Sequence, residues 1–161
     1  RASIQATYGK MKIPMKIDIT TGDEITPKEV KFFYPFLFED RRVMVKAYTQ
    51  ETILAEKYET IIRRNVGNTR ARDFYDLHLL YRLYRGNADW NLLKQAVFAT
   101  AKKRDSLSVL QDTKRILLAL EESAVLQDLW KRYQAQNLYA REITYPAIME
   151  TVKEFTEKMN F

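Results

Sequence analysis

Cysteine is absent from this sequence of 161 residues, which also has only one histidine (His78), four glycines and four prolines. Without cysteine the chain has no disulfide, no thiolate metal ligand and no cysteine nucleophile. A single histidine excludes a metal site built from several histidines. The glycines do not occur at the spacings of a Rossmann or P-loop turn, so neither kind of nucleotide site lies within this sequence.

Long apolar runs are missing as well. No stretch approaches the roughly 20 apolar residues that a membrane-spanning helix needs. The first residues also lack the charged and then apolar organisation of a secretory signal. We therefore expect a cytoplasmic protein with no membrane partner. Because the chain begins at Arg1 and not at a methionine, we also expect it to be part of a longer protein.

Basic residues and aromatic residues are what the sequence has in excess. Lysine and arginine number 27 against 21 acids, which gives a net charge of +6. This balance favours anionic partners such as nucleic acid or nucleotides, although a net charge of about 2–8 is also ordinary for a soluble domain. Ten tyrosines and eight phenylalanines could stack on bases. Most of them fall in strands or on apolar helix stripes, which favours packing in the core.

The sequence divides into two unlike regions. Residues 12–48 alternate between apolar and polar types as strands do, and residues 49–161 repeat apolar types every three or four positions as helices do. We therefore predict an α+β fold in which a small antiparallel or mixed sheet within residues 1–48 precedes a helical bundle of residues 49–161. A sheet of about three strands, as these patterns predict, is thin for a domain on its own.

The first region contains two strand patterns. Residues 12–20 alternate, which places Asp18 on the face opposite to Ile17 and Ile19. Further on, two β-rich runs on either side of a charged link predict a hairpin, with Pro35 in an edge or bulged position. The two runs are 30–38 and 43–48.

The second region is predicted to contain six helices. Thr49 and Asp89 are suitable N-caps for the first and third, because their side chains can accept a hydrogen bond from a backbone N–H of the first turn. Pro146 suits the first turn of the last helix. The predicted helices are 52–64, 69/70–86, 90–104, 107–120, 121–137 and 145–159.

Asp18 is the first candidate functional residue. An acid on the strand face opposite to apolar neighbours can hold a divalent cation together with other carboxylates, as metal-dependent nucleotidyl transfer requires. An exposed acid on a solvated strand face explains the same pattern. On the residues alone, this second interpretation is favoured.

Lys57 and Arg64 form the second candidate group. Lys57 lies among apolar neighbours on the first predicted helix, and Arg64 follows two turns later on roughly the same face. A lysine in this position can offer its charge to a phosphate while its stem packs on the core. An amphipathic helix with surface cations is the alternative, and the residue pattern alone favours it.

Two acids at the start of the second predicted helix form the third candidate group. Asp73 and Asp76 are three positions apart and therefore lie on one side of the helix. Asp73 is close to the N-terminal end, where the helix dipole favours a carboxylate. With Arg70 beside them, the two acids can hold a metal, orient a lysine or form a salt-bridge cluster, and the sequence leaves these alternatives open.

Taken in order, these elements resemble the AbiEii/AbiGii family of nucleotidyltransferase-like toxins. The resemblance is carried by K-I-D-I-T followed by G-D, by E-T-I-L-A-E-K and by R-A-R-D-F-Y-D-L, which occur in this order between residues 12 and 84. Residues 87–161 carry no family signature that we can quote.

The resemblance implies the toxic partner of a bacterial toxin–antitoxin or abortive infection system, with a fold similar to polymerase-β-type nucleotidyltransferases. The sheet of residues 1–48 would then be part of the nucleotidyltransferase core. It implies Mg²⁺ and an NTP, an acceptor such as RNA or tRNA, and a cognate antitoxin. Asp18 would be the catalytic carboxylate that binds the metal, and Lys57 would contact nucleotide phosphates. Asp73, with Asp76, would complete the catalytic set. The cations expected to help bind the nucleotide are Arg64 and Arg70.

The first motif of the family, Gly-Ser followed by an acidic pair on a strand, is absent from this sequence. We expect it upstream of Arg1, and so we predict a nucleotidyltransferase parent whose 161-residue segment is inactive alone. The alternative hypothesis is a degenerate nucleotidyltransferase fold that binds nucleotide, RNA or antitoxin without chemistry. A plain helical scaffold is a third hypothesis.

Overall fold

The computed structural model describes residues 1–160, in which strands precede helices, and this confirms the predicted α+β class. The strands are β1 (Ala2–Tyr8), β2 (Met11–Ile17), β3 (Val30–Pro35) and β4 (Arg42–Ala47). The helices are α1 (Gln50–Arg64), α2 (Ala71–Tyr84), α3 (Trp90–Lys103), α4 (Leu107–Leu110), α5 (Thr113–Glu122), α6 (Ala124–Gln136) and α7 (Tyr145–Met159).

The strands form two separate antiparallel hairpins, not the single three-stranded sheet that the sequence predicted. The additional strand is β1, which pairs with β2 along its whole length. The pairing ends with Ala2 opposite Ile17, which is the last residue of β2. Asp18 therefore lies just beyond the strand on which it was predicted.

The second hairpin matches its prediction. β3 and β4 pair antiparallel, and Phe32 lies opposite Val45 while Tyr34 lies opposite Val43. Pro35 is the last residue of β3, where its missing N–H group removes no interior hydrogen bond from the ladder. Both hairpins expose large apolar side chains to solvent.

The buried core lies among the helices, and α1 is at its centre, packed against α2 and α3. Leu54, Tyr58 and Ile61 on α1 are almost completely buried. Phe155 of α7 stacks on Tyr58 with ring centroids 4.6 Å apart. Because each fully buried large apolar side chain contributes about 1.5–3 kcal/mol, this core fixes the positions of the helices that carry the candidate site.

Local cap residues determine most of the helix ends. Thr49 accepts a hydrogen bond from the backbone of Thr52, and Asp89 caps α3 in the same way, as predicted. The predicted helix 107–120 is wrong, because Asp112 leaves the helical backbone conformation and splits it into α4 and α5. Ser123 caps α6, which therefore begins three residues later than predicted. Among residues 1–160, no helix is long and apolar enough to cross a membrane.

Candidate functional site

Lys57 of α1 lies between two acids from the first two turns of α2. Its Nζ donates a hydrogen bond to Asp73 Oδ1 at 2.8 Å, and it lies 2.8 Å from Asp76 Oδ2. The packing of α1 against α2 brings the three side chains together. We call these three residues the lysine–aspartate cluster. The sequence placed them in two separate candidate groups, and the structure shows that they form a single cluster.

Asp73 is the most buried member of the lysine–aspartate cluster, with a side chain only 3% exposed. It lies in the first turn of α2, where the positive end of the helix dipole stabilises its charge. Arg70 Nε lies 3.1 Å from Asp73 Oδ2. The two groups are not aligned for a hydrogen bond, and this buried oxygen has no hydrogen-bond partner in the described part of the chain. Arg70 therefore offers Asp73 charge compensation but no hydrogen bond.

The surroundings of Lys57 keep it protonated. Burial alone would lower the pKa of Lys57, but the hydrogen bonds and charges of Asp73 and Asp76 outweigh burial and raise that pKa above its ordinary value. The ammonium group has three N–H donors, and the two acids engage two of them. Lys57 is therefore a fixed positive charge with one donor left for a ligand, and it is not a candidate general base.

Two arginines add positive charge next to the lysine–aspartate cluster, and a third lies further away. Arg70 is paired with Asp73, and the exposed Arg72 lies 3.7 Å from Asp76 Oδ2. Arg64 is exposed at the last turn of α1, seven residues after Lys57, or roughly 10 Å along the helix axis. Arg64 is thus separate from the cluster, and its role in nucleotide binding stays a prediction.

Asp18 is not part of the lysine–aspartate cluster. Its exposed carboxylate forms an ion pair with Arg1, and the hydrogen bond from Arg1 lowers the pKa of Asp18. No hydrogen bond or ion pair joins Asp18 to Lys57 within the described chain. Residues 1–160 also contain no group of three or more histidine or acidic side chains placed to hold a metal ion. The metal-binding role of Asp18 stays a prediction.

A second ionic cluster, around Glu59, was not predicted from the sequence. The Glu59 side chain is 1% exposed, and its carboxylate accepts hydrogen bonds from Arg63 at 2.7 Å, Arg104 at 2.6 Å and Ser106 at 2.8 Å. These bonds tie α1 to the end of α3, and they hold the helix that presents Lys57. The spacing of Glu59 and Arg63 was a visible signal, whereas the other two partners are distant in sequence.

Three tyrosines next to the lysine–aspartate cluster were also missed. Tyr75, Tyr133 and Tyr139 form this tyrosine group, in which the Tyr75 and Tyr139 ring centroids lie 4.9 Å apart. Burial raises the pKa of Tyr133, and the hydrogen bond with Tyr139 and the negative charge of Asp76 raise it further. The prediction that most aromatics pack in the core holds for Tyr58, but the Tyr139 side chain remains largely exposed.

The comparisons with known proteins agree with the resemblance found in the sequence. The family model for the nucleotidyl transferase AbiEii toxin of type IV toxin–antitoxin systems matches residues 1–158. Neither a curated protein nor a solved structure matches the chain. The family match includes the helices after residue 87, where we found no signature, so it extends the resemblance found in the sequence to nearly the whole chain. The chain belongs to the AbiEii family of nucleotidyl transferase toxins.

Proposed function

We propose that this protein serves Mg²⁺-dependent nucleotidyl transfer from an NTP to an acceptor such as RNA, and that Lys57 binds the nucleotide phosphates. Family membership supports the reaction class. The observation that carries the role of Lys57 is its position between Asp73 and Asp76, which keeps it charged and leaves one donor unused. As a toxin of this family, the protein is also proposed to act in the cytoplasm and to bind a cognate antitoxin.

Lys57 would act on phosphate oxygens. In phosphoryl and nucleotidyl transfer, negative charge on the reacting phosphate is stabilised by fixed cations, and the protein contributes mainly position and charge. A lysine whose Nζ is held by two carboxylates is pre-organised for this task. Asp73 and Asp76 would therefore act through Lys57 as positioning residues, while Arg70 and Arg64 would meet other phosphate oxygens.

The residues described do not make a magnesium site. Mg²⁺ requires near-octahedral oxygen ligands at about 2.0–2.1 Å, and Asp18 is a single exposed carboxylate paired with Arg1. If Asp18 is a metal ligand, Arg1 has to leave its carboxylate first.

The same observation favours a second candidate function. Without a group of acids to bind metal in residues 1–160, the lysine–aspartate cluster could bind a nucleotide without transferring it. The protein would then be a nucleotide-, RNA- or antitoxin-binding module with a degenerate nucleotidyltransferase fold. The two functions share nucleotide binding at Lys57 and differ in chemistry.

Nucleotide binding by Lys57 variants tests both functions. Lys57→Ala should weaken NTP affinity about 10-fold or more, because it removes a charge-assisted hydrogen bond to phosphate. Lys57→Arg keeps a cation between the two acids, so it should keep the fold and bind NTP with intermediate affinity. Lys114→Ala, an exposed lysine on α5, is the matched control and should bind like the unchanged protein.

Transfer of label from the α-phosphate of an NTP to RNA separates the two functions. Transfer that is lost in Lys57→Ala supports the enzyme. Nucleotide binding without transfer, in this chain and in any longer form that contains the Gly-Ser motif of the family, supports the binding module. If Lys57→Ala and Lys114→Ala bind NTP equally well, the lysine–aspartate cluster is structural and both proposals fail.

A further inference from the structure

An open groove lies between the start of α2 and the middle of α6, beside the lysine–aspartate cluster. It has a volume of about 470 Å³, and three arginines, Tyr133 and Gln136 line it together with small and apolar residues. None of its lining residues is acidic. The three arginines are Arg70, Arg72 and Arg132, and we call this feature the arginine groove.

The positive charge of the arginine groove is only partly neutralised. Arg70 and Arg72 share the carboxylates of Asp73 and Asp76 with Lys57. Arg132 is exposed on α6, and within residues 1–160 it has no ion-pair partner. α2 also begins at this groove, and no side chain caps its first turn. The positive end of the helix dipole therefore adds to the positive charge of the groove. A groove with this charge selects an anionic ligand.

An exposed aromatic ring stands next to the arginine groove. Tyr139 is 59% exposed, and its hydroxyl lies 3.0 Å from that of Tyr133, which lines the groove. Tyr139 also donates a hydrogen bond to Asn137 Oδ1 at 2.8 Å. These contacts hold an accessible ring in one orientation, as base stacking requires.

We propose that the arginine groove binds single-stranded nucleic acid, with phosphates on its arginines and an unpaired base stacked on Tyr139. A cationic groove that follows the backbone and an aromatic ring beside it are the two elements that single-strand binders combine. A duplex fits less well, because its bases are already stacked on each other. Only the role of this strand as the acceptor of the nucleotide rests on the proposed function.

Position supports the link to the lysine–aspartate cluster. Arg72 contacts Asp76, and Arg70 contacts Asp73, so the arginine groove and the cluster share a border. The Tyr133 ring also lies 6.1 Å, between centroids, from the ring of Tyr75, which precedes Asp76, so Tyr133 is close to the cluster. A strand in the groove would therefore bring its end close to a nucleotide bound at Lys57.

Fluorescence anisotropy with a labelled single-stranded RNA of about 12 nucleotides, a length within the usual site sizes, tests the proposal on the full chain. Arg132→Glu should weaken binding about 10-fold or more at moderate salt, and Arg132→Lys should restore most of it. The matched control is Lys131→Glu, which makes the same charge change on the same helix. Lys131 lines a different pocket, next to Trp130, so this control should weaken binding less than about 3-fold.

Two further measurements sharpen the test. Because each neutralised phosphate contributes about −0.7 to the slope of log affinity against log salt for single strands, Arg132→Glu should make that slope shallower by about 0.7. Tyr139→Ala should weaken binding about 10-fold, since it removes a stacking ring. Single-stranded DNA of the same sequence shows whether the groove distinguishes the sugar.

The proposal is overturned if the RNA does not bind at low salt, or if Arg132→Glu and Lys131→Glu weaken binding equally. A duplex that binds as tightly as the single strand would also overturn it. NTP affinity, measured on the same variants, should not change in Arg132→Glu. RNA binding without NTP binding would support RNA binding by the groove and contradict the proposed function. NTP binding without RNA binding would contradict only the proposal for the groove.

Discussion

The hairpins expose their apolar side chains to solvent, whereas the helices bury theirs. In the second hairpin the alternation is clear, yet Phe32 is 49% exposed, and the apolar residues around it are similarly open. In the helices the apolar stripe is buried against other helices, and Phe155 is 0% exposed. A hydrophobic pattern in the sequence therefore identifies the element, but it does not show whether that element is packed.

The difference also concerns what holds each region together. Backbone pairing holds each two-stranded hairpin, and isolated hairpins of this kind are marginally stable in water. The helices share one core of buried side chains from several elements. One hydrogen bond, from Thr52 to the carbonyl oxygen of Thr26 at 2.9 Å, joins the loop after β2 to α1. We expect the helical region to determine the stability of the chain.

The largest expected difference between the regions comes from removing one phenyl ring in each. Phe155→Ala should lower the free energy of unfolding by about 3–5 kcal/mol, because it leaves a cavity against Tyr58. Phe32→Ala should lower it by less than about 1 kcal/mol, since the ring is half exposed. Urea unfolding followed by helical circular dichroism measures both values. Equal effects would show that the hairpins are packed as firmly as the helices.

Removal of a buried ionic partner within the helical region should give the next largest loss in the free energy of unfolding. Glu59→Gln leaves Arg63 and Arg104 without their carboxylate and should cost about 2 kcal/mol, below the limit for a fully buried pair because both arginines are partly exposed. The matched control is Glu56→Gln. Burial raises the pKa of Glu56, and its contact with Arg104 is 3.7 Å long, so this change should cost less than about 0.5 kcal/mol. A reversed order would contradict the assignment of Glu59 as the residue that fixes α1.

The sequence predicted features that depend on neighbouring residues better than features that depend on contacts between distant residues. The bounds of α7 and the hairpin of β3 and β4 follow from periodicity, caps and turn residues, and the structure confirms them. β1 was missed because alanine, serine and threonine fill much of it, so its alternation is weak. β2 ends at Ile17, so Asp18 lies one residue beyond the strand.

The candidate site divides in the same way. Lys57, Asp73 and Asp76 could be singled out because each has a local pattern, and the structure adds that they touch. Arg132 could not be found, since its place beside Arg70 depends on the packing of α6 against α2, about sixty residues further along the chain. Local periodicity carries no information about such contacts.

The pH dependence of stability should show a smaller effect, again in the helices. Burial lowers the pKa of His78, and Arg82 lowers it further. The unfolded chain therefore binds the proton more readily, so the contribution of His78 to stability is complete above about pH 6.5 and is lost as the pH falls from there through the folded pKa. His78→Gln should flatten the fall in unfolding free energy between about pH 7 and 5, by up to about 1.4 kcal/mol for each pKa unit. An unchanged pH profile would contradict the burial of this ring beside Thr151.

Removal of both hairpins should change stability less than the substitutions of Phe155 and Glu59. We propose that residues 49–161 form a domain of their own, separate from residues 1–48, because the helices share one core. The fragment 49–161 should unfold cooperatively, within about 1 kcal/mol of the full chain, since the connection that is cut includes few buried groups. Loss of the cooperative transition would show that the hairpins complete the helical core.

The smallest expected effect is that of Asp18→Asn. Asp18 is exposed, and its only charged neighbour in the described chain is Arg1, so the substitution should leave the urea midpoint unchanged. Any effect of Asp18 should therefore appear in function and not in stability. Under the proposed function, Asp18→Asn in the active protein abolishes Mg²⁺-dependent transfer of the nucleotide but leaves NTP binding at Lys57 intact. A stability loss comparable to that of Glu59→Gln would instead assign Asp18 a structural role and remove the reason to place it at the metal.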